Sequence, residues 1–353
     1  MAVIKTRMGD GSTVEMTRDE IRADVIQGSE AAAKKGKIPT LEENEYDYLV
    51  DMFCSPSRIW GVERGHEAIM SKDGSVNTLC SSRLSSGIAA PLGREAAIRL
   101  FESAFAFDSM EVGHLDYSVK PCKFIATVEQ EHMELLQHIT ILPLFYGFMP
   151  NLGLYYRPDG QFPNPSDLLP LGKLDEARKS QEEALEACRQ DVVWLSKQMI
   201  DVSADGVNYD TVASTGDAEF LATLRACEHI SGTTDMAVEI GMAAEMVLGF
   251  HGELEYDGKR LAGMWPHQQM KVVEKAGASI FGPVVNTNSR KSCAWNVARA
   301  VTFVKACTAE ATIPIHPNVG NGVGGVPMFE VSAIDMVARA SAAMIEIGKA
   351  DGL

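Results

Sequence analysis

Polar side chains stand at the carboxyl ends of several short apolar runs in this sequence. Aspartate and glutamate can bind cations or carry protons, and histidine, asparagine and tyrosine can orient a polar substrate. The carboxyl ends of parallel strands converge on one rim, so residues far apart in sequence could form one site. Strand-end Asp and Asn also cap helices and turns, and that structural role is the alternative for each of them. The candidates are His114, Asp116, Tyr146, Asn208, Asp210, Glu239, Asn286, Asn288, His316 and Asn318.

Histidines raise the separate possibility of a metal site. His251 and Glu253, with His114, His267 or His316, could supply three zinc ligands. The chain has no H-E-x-x-H spacing and no closely spaced cysteine pair. We therefore expect these histidines to be hydrogen-bonded side chains and predict no metal ligand.

The elements that must position these residues alternate between strands and helices, which indicates parallel βαβ units. No G-x-G-x-x-G follows the first strand, which favours a barrel over a dinucleotide-binding doubly wound sheet. We predict an α/β fold of the TIM (β/α)8 type, incomplete with about six βα units over 111–353. The predicted strands are Val112–Tyr117, Ile139–Tyr146, Val207–Asp210, Met236–Glu239, Ser279–Val284 and Ile313–His316. The predicted helices of this part are Leu174–Val202, Asp217–Ile230, Ala294–Cys307 and Val331–Gly348.

Residues 1–110 are predicted to be a mainly helical extension that packs on the barrel. Thr17 with Glu20 forms a capping box for a helix that ends near Gly36, and Thr40 with Glu43 repeats the pattern. A third helix is predicted from Arg94 to Phe107. Two insertions interrupt the barrel pattern where functional loops would lie, at 148–172 and 250–269.

Composition limits the classes of function. The 353 residues contain 32 basic and 48 acidic side chains, a net charge of −16, which disfavours nucleic acid and anionic membranes as partners. No run approaches the roughly 20 apolar residues of a membrane helix, and the N-terminus does not have a signal peptide's apolar core. Seven scattered cysteines without a C-x-x-C pair indicate reduced thiols and a cytoplasmic location.

Several long segments resemble dimethylamine:corrinoid methyltransferases, from Arg7-Met8-Gly9-Asp10-Gly11 to the last residue. Long motifs punctuated by glycines and aromatics, in the same order as in that family, make the resemblance specific. The segments that carry it are Gly113-His114-Leu115-Asp116-Tyr117-Ser118, Ile141-Leu142-Pro143-Leu144-Phe145-Tyr146-Gly147, 149–156, 204–211, 251–258 and 281–288.

The resemblance implies a cytoplasmic TIM-barrel enzyme that transfers a methyl group from dimethylamine to the cobalt(I) of a separate corrinoid protein. The cobalt cofactor belongs to that partner, so we expect no cofactor bound directly to this chain. Orientation and electrostatics must activate a poor leaving group. On this basis we assign Asp116, Asp210 and Glu239 to proton handling, and Tyr146, Asn208, His114 and Asn286 to substrate binding.

The resemblance also implies a pyrrolysine, encoded by an amber codon, shortly after Lys349-Ala350-Asp351-Gly352-Leu353. We therefore expect termination at that codon, which would leave the catalytic residue and the last barrel units outside the chain and the chain inactive alone. The open strand edges of an incomplete barrel lead us to expect a homo-oligomer. Two alternatives stay open: a zinc-dependent methyltransferase for another methyl donor, and a non-catalytic chain that keeps only the corrinoid-protein docking surface.

Overall fold

The computed structural model describes residues 3–57, 60, 147–202, 204–328 and 333–353, and the backbone alone at 76–80, 89–93 and 145–146. The predicted helix Arg94 to Phe107 and strand Val112–Tyr117 lie outside the described residues. So does most of the predicted strand Ile139–Tyr146.

Ten strands are described, and they fall into one parallel sheet and three antiparallel pairs. The strands are β1 (Val3–Arg7), β2 (Thr13–Thr17), β3 (Val76–Cys80), β4 (Ala89–Gly93), β5 (Phe145–Phe148), β6 (Gly206–Val212), β7 (Ala237–Met242), β8 (Glu255–Tyr256), β9 (Lys259–Arg260) and β10 (Ile280–Gly282). The parallel sheet has the order β10-β7-β6-β5.

Eight α-helices are described, and those from α3 onward follow strands of this sheet, as the sequence predicts. They are α1 (Arg18–Gly36), α2 (Glu43–Cys54), α3 (Pro165–Leu168), α4 (Leu174–Asp201), α5 (Asp217–Thr233), α6 (Pro266–Lys275), α7 (Cys293–Thr308) and α8 (Ile334–Glu346). Mixed α/β structure with a parallel sheet is confirmed, and closure into a barrel stays a prediction. Within the described ranges, no helix has the length and apolar character needed to cross a membrane.

The two faces of the parallel sheet differ in chemistry. Alternate residues of a strand point to opposite faces. One face carries fully buried apolar side chains, namely Val207, Tyr209, Val238, Ile240 and Phe281. The other face carries Asn208, Asp210, Glu239, Ile280 and the glycines Gly241 and Gly282. The apolar face anchors the sheet in the core, and the second face is therefore the one available for polar chemistry.

The N-terminal segment confirms part of the prediction and corrects part. Thr17 caps α1 and forms the predicted capping box with Glu20. The prediction for Thr40 is wrong, because Glu42 is the N-cap of α2 and pairs with Glu45. The hairpin of β1 and β2 and the pair of β3 and β4 add antiparallel strands to a region predicted as mainly helical.

Candidate active site

Two glycines lie between an aspartate and a histidine across the carboxyl ends of the sheet. Gly241 of β7 is the register partner of Gly282 of β10. A bulge in β6 after Tyr209 places Asp210 beside Gly241. On the other side the backbone N–H of His316 donates to the carbonyl of Phe281, 2.9 Å away, so His316 lies beside Gly282. We call Asp210, Gly241, Gly282 and His316 the glycine row.

The two glycines allow the atoms of this row to pack closely. A Cβ on Gly241 would lie 3.1 Å from Oδ1 of Asp210 and 3.7 Å from Oδ1 of Asn208. A Cβ on Gly282 would lie 3.1 Å from Cα of Gly241 and 3.2 Å from the carbonyl oxygen of His316. The row therefore has acid–base side chains at its two ends, which we call its walls, and two glycines between them, which we call its floor. Glycine within a strand commonly marks such a close approach.

A second polar row lies one residue pair toward the amino ends of the same strands. Asn208 of β6 is the register partner of Glu239 of β7. Oδ1 of Asn208 is buried and accepts no hydrogen bond from the described residues. A buried acceptor without a donor is costly, so this oxygen favours a ligand that carries an N–H or O–H group.

Glu239 and His316 face each other across the intervening strand. Nδ1 of His316 is 3.6 Å from Oε1 of Glu239, and the exposed fractions of the two side chains are 32% and 19%. The polar contact with the Glu239 carboxylate and the negative charges of Glu239 and Asp351 raise the pKa of His316, against an opposing effect of burial. The ring also packs against the C-terminal segment, since a Cβ on Gly352 would lie 2.6 Å from Nε2.

Strained backbone follows Asp210 directly. Thr211 has φ of 53° and Ala213 has φ of 66°, values that are uncommon for residues with a side chain and unfavourable for a β-branched one. Oδ1 of Asp210 accepts a hydrogen bond from the Thr211 N–H at 2.7 Å, which holds this turn. Such strain persists where the surrounding contacts over-determine the conformation, and it is frequent at functional sites.

Two buried carboxylates in the first turn of α5 supply those contacts. Asp217 accepts the backbone N–H groups of His251 and Gly252 at 3.0 Å and 2.7 Å. Glu219 accepts the N–H groups of Ser214 and Leu152 at 2.9 Å and 3.3 Å. Both carboxylates are fully buried and lie at the positive end of the helix dipole. They therefore fix both sequence insertions to the rim that carries Asp210.

The whole chain also matches a known family. Residues 2–353 match the family described as dimethylamine methyltransferase (Dimeth_PyL). The chain belongs to this family. It is therefore an enzyme of the methyltransferase class. No solved structure matches the chain.

The methyltransferase structure brings together three of the seven residues that the sequence assigns to proton handling and substrate binding, namely Asn208, Asp210 and Glu239. His114 and Asp116 lie outside the described residues, and only the backbone of Tyr146 is described, in β5. Asn286 is exposed and contacts Glu245: its N–H donates to Glu245 Oε2 at 3.0 Å, and Arg299 binds the same carboxylate oxygen at 2.8 Å. Its proposed contact with substrate stays a prediction.

The sequence pattern puts His316 on the rim but does not select it for the site of this methyltransferase. It gives no role to Asp217, Glu219 or the two strand glycines. Two signals for them are present in the sequence: glycine within the strand patterns of β7 and β10, and acidic residues at the start of α5.

Two of the histidines considered for zinc, His251 and His316, have other partners in the described structure. His251 is buried, and its Nε2 lies 3.0 Å from Glu182 Oε1. His316 faces Glu239, and burial lowers the pKa of His267. The described residues contain no group of three or more potential metal ligands. Five cysteines described there are free: Cys54, Cys188, Cys227, Cys293 and Cys307.

Proposed function

We propose that this methyltransferase demethylates dimethylamine and passes the methyl group to the cobalt(I) of a separate corrinoid protein. Dimethylamine is a cation at neutral pH, (CH3)2NH2+, with two N–H donors and two methyl groups. The observation that carries the proposal is the unpartnered, buried Oδ1 of Asn208, directly beside the carboxylate of Glu239 and close to that of Asp210. These groups offer acceptors and negative charge to a secondary ammonium ion.

The glycine row matches the remaining parts of this substrate. Its floor is backbone without side chains, and the methyl groups of the substrate would contact this backbone between Asp210 and His316. Hydrogen bonds from the ammonium to Asp210 and Asn208 would orient one N–CH3 bond for in-line attack, which lowers the barrier through positioning. The methyl carbon–nitrogen bond breaks, its electron pair stays on nitrogen, and methylamine leaves. The two electrons of the new carbon–cobalt bond come from cobalt(I).

The cobalt cofactor enters as a co-substrate of the partner protein, and the rim fixed by Asp217 and Glu219 is the face open to it. The 353 residues include no pyrrolysine, so the proposed roles concern only the residues present. We further propose a cytoplasmic location, a homo-oligomeric state and a TIM-barrel arrangement of the sheet. The parallel register and the single polar face support the barrel arrangement, and the free thiols support the cytoplasmic location.

The test is the substitution Asp210→Asn. Asparagine keeps an acceptor for the Thr211 N–H and removes the charge. A hydrogen bond to a charged group contributes about 1.5–3 kcal/mol, so we expect about 10- to 100-fold weaker binding of dimethylammonium by calorimetry. Exposed Asp201→Asn, at the far end of α4, is the matched control and should bind normally.

Substrate competition with the wild-type enzyme and its corrinoid protein completes this test. Methanol and methanethiol carry no charge and should be poor methyl donors beside dimethylamine. Equal rates with methanol, or unchanged dimethylammonium affinity in Asp210→Asn, would exclude the amine site described here.

A further inference from the structure

His316 has a defined position in the row but no part in holding the substrate ammonium. Its backbone is fixed by the bridge between Ile315 and Phe281 and by the His316 N–H bond to the Phe281 carbonyl. Gly282 occupies the strand position between His316 and Gly241 of β7, and Ile280 is the register partner of Glu239. The imidazole contacts Glu239 diagonally across these two positions, at 3.6 Å. The glycine thus allows an acid–base pair to form across an intervening strand.

The chemistry of amine demethylation requires a proton that the substrate does not supply. Attack on dimethylammonium releases neutral methylamine, a strong base, which must gain one proton to leave as methylammonium. Among the described residues of the two rows, His316 is the one imidazole, the side chain whose ordinary pKa lies nearest neutrality. About a third of it is exposed, so solvent can return a proton to it after each turnover.

We propose that His316 relays a proton from solvent through Glu239 to the departing methylamine. This inference rests on the proposed function. The Nδ1–H bond of the imidazolium breaks as an O–H bond forms on Glu239, and that O–H bond breaks as the N–H bond of methylammonium forms. Water then reprotonates the imidazole. Glu239 is the group in contact with the amine, and His316 is a positioning and proton-supplying residue behind it.

The geometry supports this direction of transfer. Nδ1 of His316 points to Oε1 of Glu239, and closing the 3.6 Å distance to a hydrogen bond needs a movement of about 0.6 Å. Glu239 lies beside Asn208, whose unpartnered Oδ1 marks the substrate end of the relay. The titratable groups that face the imidazole are Glu239 from β7 and Asp351 from the C-terminal segment, and both favour its protonated form.

The experiment compares wild type with His316→Gln and Glu239→Gln, using natively expressed enzyme and its purified corrinoid protein. Wild-type turnover should fall as the pH rises through the raised pKa of His316, because the imidazolium form is required. His316→Gln should lower turnover about 10- to 100-fold at pH 7, lose that alkaline limb, and leave dimethylammonium affinity unchanged. Added imidazole should partly restore its turnover.

An NMR titration of the His316 ring gives a readout that does not depend on turnover. Glu239→Gln removes the charge that raises the pKa of His316, so the ring should titrate at lower pH than in wild type. His229→Gln is the control, since His229 lies near the C-terminal end of α5, away from the carboxyl ends of the strands. It should keep the wild-type pH profile.

The outcomes separate the two proposals. Wild-type demethylation together with an unchanged pH profile in His316→Gln would overturn the relay and leave the amine site standing. An unshifted titration of His316 in Glu239→Gln would also overturn the relay. A wild type that neither binds dimethylammonium nor demethylates it would overturn both.

Discussion

At the scale of single residues, the chemistry of the rim depends on its polar side chains and also on its glycines, which have no side chains. Asn208, Asp210 and Glu239 present acceptors and negative charge to one face of the sheet. Gly241 and Gly282 have no side chains, and a Cβ on either would lie 3.1 Å from a neighbouring atom. The site therefore depends on the two glycines as much as on the carboxylates.

Gly241→Ala tests the floor of the row. The added Cβ would lie 3.1 Å from Asp210 Oδ1, close enough to displace the carboxylate and to occupy space proposed for a substrate methyl. Gly241 has no left-handed backbone, so alanine does not strain the strand. We expect at least about 10-fold weaker dimethylammonium binding, or about 1.4 kcal/mol, with little loss of folding stability. Calorimetric titration and urea unfolding measure the two effects.

Gly232→Ala is the matched control for that experiment. A Cβ on Gly232 would meet no atom within 4 Å, and the residue lies near the end of α5. This variant should bind dimethylammonium as the wild type does. Normal affinity in Gly241→Ala would show that the glycine row is not the amine site.

The sequence predicts which polar residues lie at the site better than it predicts which of them contact one another. Position at a strand end is enough to select Asn208, Asp210 and Glu239, because parallel strands converge there. The approach of His316 to Glu239 depends on register and on the missing side chain of Gly282, and both are set by pairing between distant segments. A strand pattern by itself does not carry that information.

At the scale of elements, the first turn of α5 connects the sheet to both insertions. Burial raises the pKa of Glu219 to about 7, although hydroxyl and backbone donors from Ser214, Thr215 and Leu152 favour its charged form. The helix dipole acts in the same direction as these donors. The Glu219 carboxylate thus binds both the strained turn after Asp210 and the start of the first insertion.

Glu219→Gln tests this connection. At pH 5 both oxygens of the protonated carboxyl can still accept hydrogen bonds, whereas the amide NH2 has only donors to present to the groups around it. We therefore expect about 2–4 kcal/mol of destabilisation in urea unfolding at pH 5. The same variant should bind dimethylammonium more weakly, because the turn that positions Asp210 loses its anchor. The exposed Glu30→Gln on α1 is the control and should change stability by less than about 0.5 kcal/mol.

The pH dependence of that difference is a separate prediction. Folded Glu219 keeps its proton to about pH 7, whereas the unfolded carboxyl loses it near its ordinary pKa of 4.5. Its contribution to stability is therefore present at low pH and lost as the pH rises toward 7, by up to about 3 kcal/mol. Glutamine does not titrate, so the stability gap between wild type and Glu219→Gln should narrow from pH 5 to pH 8. A gap that widens over this range would contradict the assigned pKa.

The observed ends of helices and strands show where the hydrophobic periodicity of the sequence is enough to predict them. The helix predicted at Leu174–Val202 is observed at Leu174–Asp201, because a long amphipathic pattern fixes its own ends. The sequence pattern extends the second insertion to Gln269, but α6 begins at Pro266, which is favoured in the first turn of a helix. The run Ile313–His316 forms only a single bridge, from Ile315 to Phe281. Whether this run forms a strand depends on the segments beside it in the sheet, and its own sequence does not specify them.

At the scale of the whole molecule, the N-terminal helices pack directly on the α/β part. Hydroxyl groups of Ser29 on α1 and Thr302 on α7 are 3.0 Å apart, and Ser292 donates to Asp24 at 2.5 Å. Arg7 pairs with Asp335 at 3.1 Å, so the first strand also contacts α8. Hydrogen bonds and an ion pair thus join α1 and β1 to α7 and α8, and the division into an extension and a barrel stays a prediction.

One close approach between these parts is at Gly28 of α1. A Cβ on Gly28 would lie 2.2 Å from the carbonyl oxygen of Trp295 in α7. That oxygen belongs to the backbone of a buried helix and cannot turn away as a flexible side chain could. The two helices can therefore pack at this distance only when residue 28 is glycine.

Gly28→Ala should consequently destabilise the whole chain, even though alanine is the better helix former by about 1 kcal/mol. Separating α1 from α7 would loosen the buried layer around Thr302 and Phe303, and we expect at least about 3 kcal/mol of lost unfolding free energy. Urea unfolding followed by circular dichroism measures the loss. Gly232→Ala, which adds the same methyl group where nothing lies within 4 Å, should stay within about 1 kcal/mol of wild type. Equal stability of Gly28→Ala and wild type would show that α1 is only loosely attached to the α/β part.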